Sequence, residues 1–182
     1  FRVLSGMMGE IFAKELTIVQ NKLKKNPYLN GYPDLLECSS TELINYFQNA
    51  SAEEFNKYKF GGIEVKNSFG SKKAKTNIQK GDNRINYIKK NLEWKAHHRE
   101  TNNLLGIFSD FINGVPKIIA LFYCNELSAS DWAEVQKPKG NSKMTSFSVL
   151  LPSGYQKMLK NLKICFNKKE YKDFFSLDIK NT

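Results

Sequence analysis

Cysteine and histidine are both scarce in this sequence, and their placement excludes several kinds of chemistry. The three cysteines, Cys38, Cys124 and Cys165, are odd in number and widely spaced, with neither a metal-site pair nor a disulfide framework. The two histidines, His97 and His98, are adjacent, so they point in different directions and cannot easily bind one metal ion together. The cysteine pattern predicts buried thiols in a reducing cytoplasm.

Long hydrophobic runs are absent as well. No apolar stretch reaches the roughly 18 residues that a membrane-spanning helix needs, so none is predicted. The first residues, 1–6, lack an initiator Met and the apolar segment of a secretory signal, which suggests an internal start with residues preceding Phe1. We also find no internal repeat, no glycine-rich nucleotide loop and no Ser/His/Asp arrangement.

Acidic residues are outnumbered by basic ones. Lys and Arg total 28 against 18 Asp and Glu, which gives a formal net charge of +10. This surplus favours a polyanionic partner, although any single Lys can equally be a solvated surface residue. With 182 residues, 41% of them hydrophobic, the chain can bury a core as a single domain over residues 1–182.

The first part of the chain contains a long helical pattern followed by a strand. Apolar residues recur at the spacing of one helix face over residues 6–25, and Asn26-Pro27 is predicted to end that helix. Residues 31–38 are predicted to form a turn and then a strand. Asp34 lies near the start of this strand.

Two capping boxes predict a helical insertion over residues 39–60. Ser39 with Glu42 and Ser51 with Glu54 have the required spacing, so we expect short helices at about 40–48 and 51–59. The insertion is too long for a tight hairpin loop. The segments on either side of it must therefore meet through tertiary contacts.

The second half of the chain is predicted to supply the central strands. Apolar runs at 104–112 and 115–123 flank Asn113-Gly114, which is a strong hairpin signal. A lysine-rich helix is predicted before them, at about 82–91. A further strand at 146–151 and a short helix at 154–163, with Met158 and Leu162 inward, are predicted after them.

Two short segments together supply two carboxylates and one ammonium. Tyr32-Pro33-Asp34 is followed by Gly61-Gly62-Ile63-Glu64-Val65-Lys66. Alternate residues on a strand share a face, so Glu64 and Lys66 should project into one cleft while Ile63 and Val65 turn into the core. Two carboxylates suit Mg2+, and a neighbouring ammonium can orient or activate an attacking water. Metal-dependent phosphodiester cleavage needs this combination.

The tripeptide alone is not specific, because an acid two residues before a Lys occurs at three other places: Glu93-Trp94-Lys95, Glu170-Tyr171-Lys172 and Asp178-Ile179-Lys180. Only Glu64-Val65-Lys66 follows a Gly-Gly turn, downstream of the chain's single Pro-Asp pair. The alternative interpretation is a solvated Glu/Lys strand face.

Through Pro33-Asp34 and Glu64-Val65-Lys66, the sequence resembles the PD-(D/E)xK nuclease superfamily, and within it the Type II restriction endonucleases. The resemblance implies an α/β fold, with a restriction-endonuclease-like mixed β-sheet core flanked by helices. It also implies that Asp34, Glu64 and the backbone carbonyl of Val65 hold Mg2+, and that Lys66 serves the attacking water. A homodimer that cuts both strands of double-stranded DNA is the implied assembly.

Two assignments within this pattern stay open. A Glu on the helix that precedes the motif often completes such a site, and here Glu10 or Glu15 could do so, with Glu10 preferred because of the adjacent Gly9. Asp110 is the best rival to Asp34 as a metal ligand, although an edge or hydrogen-bonded acid is the preferred interpretation. The adjacent histidines argue against a ββα-metal nuclease.

Basic residues close to these segments are candidates for contacts with DNA phosphates, which supply affinity but no sequence information. One group follows the predicted strand of Glu64 and Lys66, a second lies beside the histidines, and a third lies in a basic loop over residues 125–143. The candidates are Lys72, Lys73, Lys75, His98, Arg99, Lys137, Lys139 and Lys143.

Three functions are therefore considered. The first is a Type II restriction endonuclease, and the second is a DNA repair nickase or junction resolvase with the same chemistry. The third is a non-catalytic basic nucleic-acid-binding module. In it, Asp34, Glu64 and Lys66 have only a structural role, as an ion pair and the neighbouring charged residue. The sequence does not encode the recognition site, the cut position or the stagger of the ends.

Overall fold

The computed structural model of the chain describes residues 2–28, 31–58, 61–69, 94–112, 115–137, 146–165 and 172. The helices within these ranges are α1 (Arg2–Val19), α2 (Thr41–Gln48), α3 (Ala52–Asn56) and α4 (Pro152–Lys160), with a short 3-10 helix at Ala129–Asp131. The strands are β1 (Leu23–Lys25), β2 (Leu35–Glu37), β3 (Glu64–Phe69), β4 (Lys95–Ala96), β5 (Leu104–Ile112), β6 (Val115–Cys124), β7 (Ser148–Val149) and β8 (Leu162–Cys165).

A mixed four-stranded sheet with the order β3-β5-β6-β8 forms the centre of the fold. Strand β3 runs parallel to β5, whereas β5 with β6 and β6 with β8 are antiparallel. The two long apolar runs therefore form the two inner strands, as the sequence predicts. The chain is mixed α/β, with helices flanking a mixed sheet.

Side chains alternate along β5 between two cores on opposite faces of this sheet. Leu105 and Ile107 join a cluster that includes Ala13 of α1. Leu104 and Phe108 join a cluster built around two tryptophans and α4, whose buried members include Trp94, Trp132 and Met158. Both faces are thus covered by apolar side chains.

Gly106 of β5 allows Trp94 to lie directly on the sheet. A Cβ at this position would come within 2.8 Å of Trp94 and of Met158, so no side chain fits. The indole N–H of Trp94 donates to the carbonyl oxygen of Ile107 at 3.3 Å. This contact fixes the start of β4, and β4 leads into His97.

The prediction of one helix over residues 6–25 is wrong at its C-terminal end. Helix α1 ends at Val19, and residues 23–25 form β1, which pairs antiparallel with β2. Leu23 is buried in the observed strand and also lies on the apolar face of the predicted helix, so the apolar spacing cannot distinguish the two conformations. Pairing with β2 satisfies the backbone of this short segment and determines the outcome.

The helical insertion contains the two predicted helices, with one change in capping. The second capping box is confirmed, because Ser51 and Glu54 satisfy each other's backbone N–H groups. The first helix is capped by Ser40, whose Oγ accepts from Leu43, and not by the predicted Ser39. Helix α3 is shorter than predicted and ends at Asn56.

The segments on either side of the insertion meet as expected. Leu35 and Ile63 form an antiparallel bridge, with N–H to O distances of 3.0 and 2.7 Å. Phe47 and Phe55 of the insertion pack against Leu36 and Cys38 in a separate small core. The beginnings of β2 and β3 are thereby held side by side.

Near the C-terminus the predicted strand over 146–151 is only two residues long and pairs with β4 in a separate sheet. The helix predicted over 154–163 ends at Lys160. Met158 is buried as predicted, but Leu162 belongs to β8, because pairing with Phe122 of β6 begins there.

Several predictions fall on residues that the structure does not describe. They are the helix over 82–91, the Asn113-Gly114 turn, the loop carrying Lys72, Lys73 and Lys75, the basic loop from 138 to 145, and the tail after 165 except residue 172. Cys38 and Cys124 are buried free thiols, and Cys165 is partly buried. Among the described helices, none combines the length and the hydropathy that crossing a membrane requires.

Candidate functional site

The start of β3 presents two charged side chains on one face, as strand alternation predicts. Ile63 and Val65 are buried in the core beside α1, at 7% and 8% exposure. Glu64 and Lys66 point to the opposite face, where the Lys66 ammonium contacts Oε1 of Glu64. The side chain of Lys66 is 27% exposed, so the face opens to solvent beside the buried glutamate.

Asp34 reaches this pair from the start of β2. Its Oδ2 accepts a hydrogen bond from the backbone N–H of Val65 at 2.7 Å and lies 3.7 Å from Nζ of Lys66. Gly62 allows the two segments to pack closely, because a Cβ at this position would overlap the ring of Pro33. The Gly-Gly turn and the Pro-Asp pair are therefore in direct contact.

Glu64 is an unusual buried acid. It is fully buried; its Oε1 contacts the ammonium of Lys66, and its Oε2 has no hydrogen-bond partner among the residues that the structure describes. Burial raises the pKa of Glu64 to about 7, with the nearby ammonium of Lys66 opposing this shift and the carboxylate of Asp34 adding to it. A buried carboxylate with one unpartnered oxygen is available to bind a cation in addition to the ammonium of Lys66.

Lys66 stays protonated beside these acids. Burial alone would lower its pKa, but the carboxylates of Glu64 and Asp34 outweigh burial and raise it. An ammonium with a raised pKa is a poor proton acceptor. Its chemistry in this state is to donate hydrogen bonds and to supply positive charge.

His97 also faces the site, which the sequence reasoning missed. Its Nε2 lies 3.9 Å from Oε1 of Glu64, and its side chain is 39% exposed. Burial lowers the pKa of His97, and Lys66 lowers it further. The sequence signal was weak, because the neighbours of a histidine at the end of a two-residue strand depend on tertiary packing.

Tyr32 and His98 line the same side of the site. Their rings meet edge to face with centroids 4.6 Å apart, and the Tyr32 hydroxyl lies 3.3 Å from Oγ1 of Thr101. Burial raises the pKa of Tyr32, and the charges of Glu64 and Asp34 add to this. This hydroxyl therefore remains protonated beside the carboxylates.

Arg99, predicted to contact DNA, is engaged within the protein. Its guanidinium pairs with Glu134, and its Nε and Nη2 donate to the carbonyl oxygen of Ala129 at 3.3 and 3.1 Å. These contacts fix the loop around the 3-10 helix. Lys137 is exposed at the last described residue of that loop. DNA binding by Arg99, Lys137 and His98 stays a prediction.

The rival acids lie elsewhere. Asp110 is six residues along β5 from Leu104, the partner of Glu64, which corresponds to about 20 Å along a strand. Asp110 is fully buried, and one of its oxygens accepts from the N–H of Phe111. Glu10 forms an ion pair with Lys25 at 2.8 Å. A metal role for Glu10 stays a prediction.

The carbonyl of Val65 faces the same side as Asp34. The N–H and C=O of one strand residue point to the same edge, and the N–H of Val65 donates to Asp34. No group of three or more His, Cys, Asp or Glu side chains that could hold a metal occurs in the described ranges. Two carboxylates and a carbonyl nevertheless fit Mg2+, which keeps several waters and commonly takes one or two protein carboxylates.

Comparisons of the chain with protein-family models, with curated proteins and with solved structures find no match.

Proposed function

We propose that this protein is an Mg2+-dependent endonuclease that hydrolyses phosphodiester bonds of double-stranded DNA, of the PD-(D/E)xK type and the Type II restriction class. The observation that carries the proposal is the fully buried carboxylate of Glu64, which shares the ammonium of Lys66 with Asp34 and whose Oε2 has no hydrogen-bond partner among the described residues. Two acids face one ammonium there, and burial keeps the pKa of Glu64 raised despite that ammonium, so the ion pair with Lys66 does not fully offset the cost of burying this charge. The net charge of +10 suits a polyanionic substrate.

The roles follow from the positions of the side chains. Asp34, Glu64 and the carbonyl of Val65 would hold Mg2+. When bound, the ion would lower the pKa of a coordinated water and neutralise charge on the phosphate. Lys66 donates to the attacking water or to a phosphate oxygen, since its raised pKa keeps it charged. His97, whose partly exposed side chain lies 3.9 Å from Oε1 of Glu64, would contact the same phosphate.

Two other functions remain candidates. A repair nickase or junction resolvase would use the same site with a different dimer geometry. A non-catalytic module that binds nucleic acid would use Lys66 only to neutralise the two acids, and the ion pairs of Lys66 with Glu64 and Asp34 favour this candidate. It predicts binding without cleavage.

Incubation of the protein with mixed-sequence plasmid DNA and Mg2+ separates these functions. Discrete fragments are expected for a restriction enzyme, whereas a smear indicates a nonspecific nuclease. Single nicks or cleavage confined to branched DNA would favour the nickase or the resolvase. Intact DNA with a mobility shift would overturn the enzymatic proposal. The Glu64→Gln variant serves as the control for contaminating nuclease.

A further inference from the structure

Asn26 is a buried polar residue directly after β1, with an exposure of 2%. Because Lys25 pairs with Leu35, the next residue along each strand places Asn26 opposite Asp34. The antiparallel pairing continues there, since the N–H of Asn26 donates to the carbonyl oxygen of Asp34 at 3.0 Å. Asn26 and Asp34 therefore close the loop that connects β1 to β2.

The side-chain amide of Asn26 forms hydrogen bonds to both ends of this loop. Its Nδ2 donates to the carbonyl oxygen of Pro33 at 3.1 Å, and its Oδ1 accepts from the N–H of Tyr28 at 3.0 Å. This pairing needs a donor and an acceptor on one short side chain, which Asn provides. Gly31 packs directly against this amide, and a Cβ on Gly31 would overlap the amide atoms of Asn26.

These contacts determine the direction of the Asp34 side chain. The carbonyl of Pro33 belongs to the peptide group before the Cα of Asp34, and the carbonyl of Asp34 belongs to the peptide group after it. Peptide groups are planar, so anchoring both of them on Asn26 fixes the two torsions at Asp34. The Cα–Cβ bond of Asp34 then points toward Val65, whose backbone N–H donates to Oδ2 of Asp34 at 2.7 Å.

We infer that Asn26 is the positioning residue for the Asp34 carboxylate: its side-chain amide immobilises the peptide group before Asp34, while its backbone N–H holds the peptide group after it. Its effect on metal binding rests on the proposed function, in which Asp34 holds Mg2+. Its effect on the hydrogen bond between Asp34 and Val65 does not require a metal. These two consequences can be measured separately.

The test compares Asn26→Ala and Asn26→Asp with the control Asn161→Ala. Asn26→Asp keeps the acceptor for Tyr28 and loses the donor to Pro33. Asn161 also bonds a backbone carbonyl through its amide, that of Lys157, but it lies at the end of α4. In the metal-free protein we expect hydrogen exchange of the Val65 amide to become at least about 10-fold faster in both Asn26 variants and to be unchanged in the control.

The second measurement is calorimetric titration with Mn2+ alone. We expect the affinity to fall about 10-fold or more in the Asn26 variants, the usual cost of losing an outer-shell partner, and to be unchanged in Asn161→Ala. Gly31→Ala should reproduce this loss, because its added Cβ displaces the amide. Once the amide has been removed, the same Cβ should add no further loss, so Asn26→Ala/Gly31→Ala should bind like Asn26→Ala.

The outcomes separate this inference from the proposed function. Unchanged Val65 exchange in both Asn26 variants overturns the inference whatever the metal does, and so does an equal effect in the Asn161 control. Unchanged Mn2+ affinity in the Asn26 variants also overturns it, while the proposed function survives. Faster Val65 exchange in a protein that binds no Mn2+ supports the positioning role and overturns the proposed function.

Discussion

Oδ2 of Asp34 accepts a hydrogen bond from the backbone N–H of Val65 at 2.7 Å, across an insertion of two helices. This bond joins the acid at the start of β2 to the strand that carries Glu64 and Lys66. The same oxygen lies 3.7 Å from the ammonium of Lys66. Asp34 therefore accepts a backbone hydrogen bond and shares the ammonium of Lys66 with Glu64.

Asp34→Asn should abolish cleavage while the fold stays intact, because a metal ligand is lost and the volume is conserved. The loss should exceed the roughly 10- to 100-fold that an outer-shell partner typically contributes. Asp110→Asn is the matched control, because Asp110 lies six residues along β5 from Leu104, the partner of Glu64. This variant should retain appreciable activity. Cleavage rates with Mg2+ measure both, and the reverse order of effects would transfer the metal role to Asp110.

Glu64→Gln should raise the melting temperature of the metal-free protein at pH 8 and leave it unchanged at pH 4. The pKa of Glu64 is raised from 4.5 to about 7, so the stability contributed by this group is fully present below pH 4.5 and is lost as the pH rises through 7. Gln removes this penalty, and each gain of about 1 kcal/mol corresponds to roughly 2–4 °C.

Thermal unfolding between pH 4 and pH 8 tests the effect of Glu64, with Glu37→Gln, at an exposed position of β2, as the control. Mn2+ should stabilise the wild-type protein and have less effect on Glu64→Gln, because a bound ligand stabilises only the form that binds it. A Glu64→Gln variant that melts below the wild type at pH 8 would mean that the buried charge stabilises the fold.

Lys66→Ala should reduce turnover by orders of magnitude and still allow DNA binding in Ca2+, since the lysine is proposed to serve the water and not to hold the metal. Removing its charge from beside two carboxylates should also strengthen binding of a divalent ion. Lys95→Ala and Lys172→Ala, which destroy two of the neighbouring acid-x-Lys matches, should weaken binding modestly at most. Nζ of Lys95 lies 4.7 Å from the centroid of the Phe147 ring, which is a packing contact.

Cleavage at saturating DNA distinguishes the two kinds of defect in these lysine variants. A binding defect disappears under that condition, whereas a chemical defect persists. Full activity of Lys66→Ala there would remove the main support for a nuclease of this type.

DNA affinity should depend strongly on salt. If about six to ten phosphates are contacted, affinity should fall by roughly 10³ to 10⁵ between about 50 and 200 mM salt. Lys72→Ala/Lys73→Ala should flatten this dependence, because fewer counterions are released. Fluorescence anisotropy with labelled duplex in Ca2+ measures the slope, and an unchanged slope would place these lysines away from the DNA.

Asp131→Asn should destabilise the protein by about 1 kcal/mol at neutral pH, a modest value because Lys157 is partly exposed. Although burial acts to raise the pKa of Asp131, hydrogen bonds from Lys157 and Ser128 lower it to about 2. The contribution is therefore present above about pH 3.8 and lost as the pH falls toward 2.

Urea unfolding between pH 6 and pH 2.5 should show the difference between the wild type and Asp131→Asn shrinking at the acidic end. Lys157→Met should also destabilise the protein, and the double variant should cost less than the two changes added. Strict additivity would show that the pair does not interact.

Features with a short-range cause could be predicted from the sequence. The period of two along a strand places Glu64 and Lys66 on one face, and the spacing of Ser51 and Glu54 identifies a helix start. Features decided by tertiary contacts could not be predicted. Residues 23–25 leave the helical pattern because β2 lies beside them, and His97 approaches Glu64 because Trp94 packs over Gly106.

Residues of the insertion between β2 and β3 pack in a separate small core, and the bridge between Leu35 and Ile63 joins the two ends of the insertion. For a loop whose ends are already paired, each doubling of length costs only about 0.6 kcal/mol in closure entropy. The insertion can therefore vary in length at little cost in closure entropy, provided that Phe47 of α2 and Phe55 of α3 stay buried. Changes in the length of the insertion can alter the surface that the protein presents to a partner. The paired ends of the insertion keep Asp34 and Glu64 in the same relative position.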